Sequence, residues 1–371
     1  MKKLFRIIIS VTLVLALIIT GSSYAFAKQK MTEEEIDARV EEILNTMSYK
    51  ERVAQMLYVF APIGKAKAEQ EKYQYGGYLL FADFFKSNTK KNVKKVVKNW
   101  QKASKVNMLI GVDEEGGTVV RVSKFKQYRK TPFKAPKDVY KKGGYAAVEK
   151  DAHERAKLLK SLGINTNFAP VADVAYKKGN YIYNRSFSTN YKKVSKFVKC
   201  TVNAYNEDKL VSIMKHFPGY GGNGNTHTYV IKDTRSLETF ESRDLKPFAA
   251  GIKNGAPMIL VNHDIVRCID KKNTASLSKK VHKYLRKNMG FDGVIITDAL
   301  GMSGVTKKVS NNGEAAVLAV LAGNDMLCTP YGKTSRNAIF KAVKSGRISK
   351  EQINNSVRRI LKMKLKYGII R

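Results

Sequence analysis

Eight short apolar runs recur along the chain, at residues 55–60, 77–81, 108–113, 164–170, 211–216, 258–263, 294–298 and 325–328. Most are apolar through their centres, as expected of strands covered on both faces. Between several of them lie longer stretches with helical periodicity and few breakers, at 147–162, 194–208, 245–254 and 279–289. Strands that alternate with helices pair in parallel within one sheet. Eight alternations in 371 residues predict a (β/α)8 barrel of the TIM type, with a doubly wound open sheet as the competing arrangement.

Two further helices flank this pattern. Over 32–47, Thr32 can cap, Glu35 completes a capping box, and Ile36, Val40, Ile43 and Leu44 mark one face. Over 350–366 a basic amphipathic helix carries Ile353, Val357, Ile360 and Leu361. Both are expected to pack on the barrel. With no internal repeat, proline-rich linker or low-complexity tract, residues 28–371 are expected to form one domain.

The first residues change the expected compartment. Lys2, Lys3 and Arg6 precede an apolar run over 7–19, and Ala25-Phe26-Ala27 supplies a small-x-small cleavage pattern. That run is short for a membrane span of about 20 residues. Residues 1–27 therefore read as a signal peptide of a secreted chain that begins near Lys28 and keeps no stable membrane span. An uncleaved anchor is the other possibility. Cleavage would remove three of the positive charges and no acid, leaving +34 of the formal +37. Such a surface is drawn to anionic wall polymers in an extracellular, wall-associated setting. Lysine in excess over arginine, spread along the chain, suits diffuse attraction better than specific nucleic-acid readout.

Cys200, Cys268 and Cys328 form no C-x-x-C pair and are odd in number, so neither a zinc site nor a disulfide framework is indicated, although one bridge is open. No metal and no organic cofactor is implied.

Candidate chemistry gathers where the predicted strands end. Asp113, Asp173, Lys215, His216, His263 and Asp298 all close apolar runs, and in a barrel those positions share one rim. The fifth run leads into KHFPGYGGNGNTH at 215–227, where four glycines and two asparagines favour turns and make a mobile loop carrying His227. Carboxylates, histidines and cations on one rim suit a polyhydroxylated substrate. Glycoside cleavage needs an acid for the leaving oxygen and a nucleophile or base on the opposite face. Asp298 can be the nucleophile, and any of the carboxylates or His227 the acid.

Four blocks, IGVDEEGGTVVR at 110–121, GINTNFAPVAD at 163–173, KHFPG at 215–219 and GFDGVIITDALGM at 290–302, resemble the signatures of glycoside hydrolase family 3. More narrowly they are similar to its β-N-acetylglucosaminidase branch, which acts on peptidoglycan fragments. They stand in the family's order and, with Arg185, Asp244 and Asp325, span nearly the whole expected mature chain. The resemblance implies Asp298 as the nucleophile that forms a glycosyl-enzyme intermediate and His227 as general acid/base. It implies Asp113, Arg121, Arg185, Lys215 and His216 as the residues that bind N-acetylglucosamine. It also implies a single barrel without the further C-terminal α/β domain of two-domain members.

The chain departs from the branch pattern in its loop. Asn225 stands where Asp usually precedes the catalytic histidine by two, Tyr220 replaces His, Gly222 replaces Asp, the loop is one residue shorter, and Thr118 occupies a common Arg position. Asn225 can orient an imidazole by accepting its N–H but supplies no charge to stabilise imidazolium. Two readings follow: a secreted retaining β-N-acetylglucosaminidase that trims wall glycan, or a non-catalytic sugar- or wall-binding relative.

Overall fold

The structure is a computed structural model that describes residues 31–371; the expected leader and its cleavage site lie outside the described residues. The chain divides into two compact units, residues 1–39 and 40–371. Of the first, the described part is the opening of a helix over Glu33–Thr46. The expected capping box is present there, the Thr32 amide donating to Glu35 Oε2 at 2.7 Å and the Glu35 amide to Thr32 Oγ1 at 3.1 Å.

The second unit is a closed parallel barrel. Its strands are β1 (Leu57–Phe60), β2 (Gly77–Leu80), β3 (Leu109–Val112), β4 (Thr166–Asn167), β5 (Val211–Phe217), β7 (Met258–Val261), β9 (Val294–Thr297) and β10 (Leu327–Thr329). They pair in the order β10-β1-β2-β3-β4-β5-β7-β9. The ring closes between β9 and the residues entering β10: Ile296 bridges Met326 in parallel, and the Met326 amide donates to Ile295 O at 2.9 Å. That closure decides against the open sheet. A small parallel pair, β6 (Lys232–Asp233) with β8 (Ile265–Val266), forms beyond the ends of β5 and β7.

Most of the predicted strand runs are strands within two residues. The run at 164–170 is the exception, because Pro170 carries no N–H for a ladder. Regular pairing there stops at Asn167, whose side chain continues it: Oδ1 accepts from the Glu114 amide at 2.9 Å and Nδ2 donates to Glu114 O at 3.1 Å. Inside the barrel Tyr58 is fully buried against Phe168, edge to face at 5.2 Å. Position 111 has to be glycine beside it, since a Cβ there would lie 2.2 Å from the Tyr58 hydroxyl.

Helices occupy the outer layer. The one expected over 147–162 begins at Pro136 and runs to Ser161, kinked at Gly143 and Gly144. Tyr191–Glu207 is capped by Asn190 and packs on Leu245–Lys253 through Val198, Val202 and Phe248. The stretch expected as one helix over 279–289 is α-helical over Lys279–Lys283 and π-helical over Tyr284–Asn288. Lys350–Lys366 is helical over the predicted span. Among the described residues no helix is long and apolar enough to cross a membrane. Cys200, Cys268 and Cys328 are free thiols.

Candidate active site

One cavity of about 540 Å³ opens at the C-terminal end of the barrel. Its lining includes Asp113, Arg121, Arg185, Lys215, His216, His227 and Asp298, contributed by β3, β4, β5 and β9 and the loops that follow them.

The polar wall is built on β3, β5 and the loop after β4. After β3 the chain is still extended, so alternate side chains point to opposite sides. Asp113 and Glu115 face the cavity, while Glu114 turns away and is fully buried. Glu114 Oε2 accepts from the amides of Arg121 at 2.8 Å and Val122 at 2.7 Å, which fixes the loop that carries Arg121. Gly116 and Gly117, at φ 91° and 66°, provide the reversal between them.

Lys215 Nζ sits 2.6 Å from Asp113 Oδ1 and 2.5 Å from Glu115 Oε1. Arg185 grips Glu115 through both oxygens, Nε to Oε2 at 2.9 Å and Nη2 to Oε1 at 2.7 Å. Burial pushes the Glu115 carboxyl up, but Arg185 and Lys215 outweigh it and hold Glu115 well below the usual carboxylate range. Burial opposes the Lys215 ammonium in the same way, and Asp113 and Glu115 raise its pKa above the ordinary lysine value. Arg121 stands 3.8 Å from Asp113, close enough to share its charge and loose enough to reach a ligand. Glu115 was not among the expected site residues, and it is the anion that joins Arg185 to Lys215.

His216 is oriented from behind. Its Nδ1 lies 2.7 Å from Asp173 Oδ2, which also accepts the His216 amide at 3.0 Å. Asp173 thus serves as an internal anchor, and its Oδ1 accepts the Tyr220 amide at 2.7 Å. His263 points away from the cavity: Nδ1 meets Ser276 Oγ at 2.7 Å and Nε2 meets Ala299 O at 3.0 Å.

Asp298 follows β9, its amide bonded to Val261 O at 2.9 Å and its Oδ1 accepting from the Ala299 amide at 2.8 Å. Burial raises this carboxyl. His263, His216, the Ala299 amide and His227 outweigh burial and hold it below the usual aspartate value, so it is ionised at neutral pH.

His227 reaches the cavity from the glycine-rich loop, which is tied down at several points. Tyr220, where the family pattern has His, is buried with its hydroxyl 2.6 Å from Thr226 Oγ1. Asn223 Nδ2 donates to Asp233 on β6 at 2.7 Å, and the Gly304 amide donates to Thr226 O at 3.1 Å. Asn225 Oδ1 accepts the His227 backbone amide at 3.0 Å and lies 2.7 Å from His227 Nδ1. Because the same oxygen accepts a backbone N–H, it is an acceptor for the ring as well. Nδ1 therefore carries the hydrogen and Nε2 is left to exchange a proton. Burial lowers the His227 pKa from its ordinary value, partly opposed by the Asp298 carboxylate.

Fold and site together define a TIM-type barrel in which a carboxylate and an imidazole face a cavity walled by paired cations and anions. The sequence profile of the Glycosyl hydrolase family 3 N terminal domain matches residues 48–363, and the chain belongs to that family. A β-hexosaminidase A from Pseudoalteromonas piscicida is 30% identical over 325 residues, which cover 80% of this chain and 54% of that protein. An uncharacterized secreted glycosyl hydrolase from Arthroderma benhamiae is 31% identical, over 77% of this chain and 83% of the relative. The solved structure of a family 3 β-N-acetylglucosaminidase from a Paenibacillus species superimposes with a TM-score of 0.81 at 28% identity, over 87% of this chain and 63% of that one. The chain thus spans about half the length of the Pseudoalteromonas relative and less than two thirds of the Paenibacillus one.

Proposed function

We propose that the chain is a secreted, retaining β-N-acetylglucosaminidase acting on peptidoglycan-type wall glycans. The observation that carries this reading is the meeting of Asp298 and His227 in one cavity with Lys215, Arg185, His216, Arg121 and Asp113. The hexosaminidase relatives support the substrate class.

In the proposed reaction the Asp298 carboxylate attacks the anomeric carbon while His227, protonated at Nε2, gives that proton to the departing glycosidic oxygen. The C–O bond to the leaving sugar breaks as the ester to Asp298 forms. His227, now neutral, takes a proton from water, whose oxygen attacks the same carbon and releases Asp298. Lys215 and Arg185, each half-satisfied by Glu115, present N–H donors to ring hydroxyls. Asp113 is the acceptor beside them.

Hydrolysis of nitrophenyl N-acetylglucosaminide, with mass-spectrometric capture of a slow fluorosugar on the peptide containing Asp298, tests the reading. Turnover without an adduct at Asp298 would remove the retaining mechanism. Saturable sugar binding without turnover would favour the second reading, a non-catalytic wall-binding relative, to which Asn225 in the dyad position lends support.

A further inference from the structure

Although lysines are spread along the chain, one helix carries an unusually regular row of them. The helix Lys90–Lys102 packs on the barrel through Val93, Val97 and Trp100, all buried. Its remaining surface holds Lys90, Lys91, Lys94, Lys95, Lys98 and Lys102, and no acidic residue occurs in the helix. At about 100° per residue these six fall within an arc of about 140° beside the buried stripe, and they run for about 18 Å along the axis. All six are exposed, and among the described residues none has a carboxylate within ion-pairing distance.

The array continues towards the cavity. Gln127 Nε2 donates to Phe85 O at 3.2 Å and the Tyr128 hydroxyl to the same oxygen at 3.0 Å, which pins the segment after Arg121 beside the start of the lysine helix. That segment adds exposed Lys124, Lys126 and Lys130. Arg129 is taken up by Glu154, and Asp83 is the nearby acid on the preceding short helix. Phe81 and Arg121, at the near end of this stretch, line the cavity itself. A path of lysines therefore leads from the cavity mouth down the outer wall of the barrel.

We propose that this path is a docking track for a linear phosphodiester polymer of the cell envelope, of the poly(glycerol phosphate) type. Ammonium groups are point charges that meet phosphodiesters at any register. The exposed face of the helix has no arginine for bidentate base contacts and no aromatic ring for base stacking, the two devices with which nucleic acids are held. Such docking would keep the enzyme on the wall with its cavity beside the glycan. The choice of an envelope polymer rests on the secreted, wall-directed reading above, but binding is read without turnover, so an inactive protein would still test it.

The experiment compares the wild-type chain with two quadruple variants. One replaces Lys91, Lys94, Lys95 and Lys98 by Gln; the other removes the same charge from a second outer helix by replacing Lys192, Lys193, Lys196 and Lys199 by Gln. Binding to poly(glycerol phosphate) and to an oligouridylate is measured across salt concentration, with thermal melts to verify folding. The track variant should bind poly(glycerol phosphate) at least tenfold more weakly at physiological salt. Its log–log salt slope should fall by about 3, from four phosphate contacts at ~0.7 each. The second variant should keep most of the affinity, and both should cleave nitrophenyl N-acetylglucosaminide like the wild type. Equal loss in the two variants would reduce the track to general net charge and overturn the proposal. So would a track-dependent preference for the oligouridylate.

Discussion

Replacing Asn225 by Asp should strengthen His227 as an acid and move the upper limb of the pH profile upward. The change is nearly isosteric. One oxygen already accepts the His227 amide at 3.0 Å and faces Nδ1 at 2.7 Å, so the new carboxylate would meet the imidazolium without any movement of the loop. In the native chain burial in the cavity lowers the His227 pKa, and Asp298 offsets only part of that. Burial therefore works against the acid form that leaving-group departure requires. Opposite unit charges about 4 Å apart interact by ~1 kcal/mol in water and ~4 kcal/mol at an effective dielectric near 20. The His227 ring is partly desolvated by the cavity, but the residue as a whole stays open to solvent at its mouth, which places the gain towards the lower figure, about 1–2 kcal/mol. At 1.36 kcal/mol per pH unit, the upper limb of kcat/KM should rise by about one unit. On a disaccharide of N-acetylglucosamine the rate at pH 7.5 should increase about five- to thirtyfold. On the nitrophenyl glycoside, whose leaving group departs unaided, the gain should be small. Matched pH–rate profiles from pH 4 to 9 on both substrates provide the check. An upper limb that stays in place on the disaccharide would mean that His227 is not the acid, or that another carboxylate already completes the pair.

Three further outcomes follow from the same geometry. Asp298→Asn should lower turnover by at least ~10³-fold while leaving the melting temperature and sugar affinity nearly unchanged, because an amide keeps the shape but cannot form the glycosyl ester; residual activity above a few per cent would remove Asp298 as nucleophile. Glu115→Gln should cost about 3 kcal/mol in urea unfolding at pH 7, the low end for breaking a buried charge pair, since Lys215 keeps Asp113. Because the Glu115 pKa is depressed on folding, its contribution is complete above the ordinary glutamate range and is lost as pH falls towards the folded-state value, so the deficit of the variant should shrink in acid. Lys364 is fully buried with Gln55 Oε1 at 2.8 Å, and burial lowers its pKa to about 7. Lys364→Met should therefore gain about 2 kcal/mol near pH 6, and the gain should fade between pH 7 and the unfolded lysine value near ~10.4, where the wild type recovers stability because its folded state has shed a proton that its unfolded state still holds. A gain independent of pH would assign the effect to packing.

The barrel was legible because strands covered on both faces are mostly apolar, and eight such runs separated by helices leave little other than closure. What escaped notice lay where side chains stand in for backbone. Asn167 continues the ladder that Pro170 interrupts, so a predicted run of seven residues yields a strand of two. The β6–β8 pair escaped because two residues on each strand carry no periodicity, yet Asp233 on β6 is what anchors Asn223 of the glycine-rich loop and pairs with Arg235 just beyond the strand. The candidate site was legible to the same degree and for the same reason: strand ends converge on one rim, so Asp113, Lys215, His216 and Asp298 could be named from position alone. Glu115 was missed although its signal was present. An extended chain leaving β3 alternates sides, so if Asp113 faces the cavity, Glu114 must turn away and Glu115 must return, with the Gly116–Gly117 turn following. That parity separates three adjacent acids into an acceptor at the cavity, a brace for the Arg121 loop and the hub of the cation pair. Asn225 follows a different rule, since a turn brings its side chain back onto the residue two places ahead. Its pairing with His227 therefore depends on the local turn, and Asn in place of Asp at this position removes a charge beside the imidazole while leaving the ring's orientation in place.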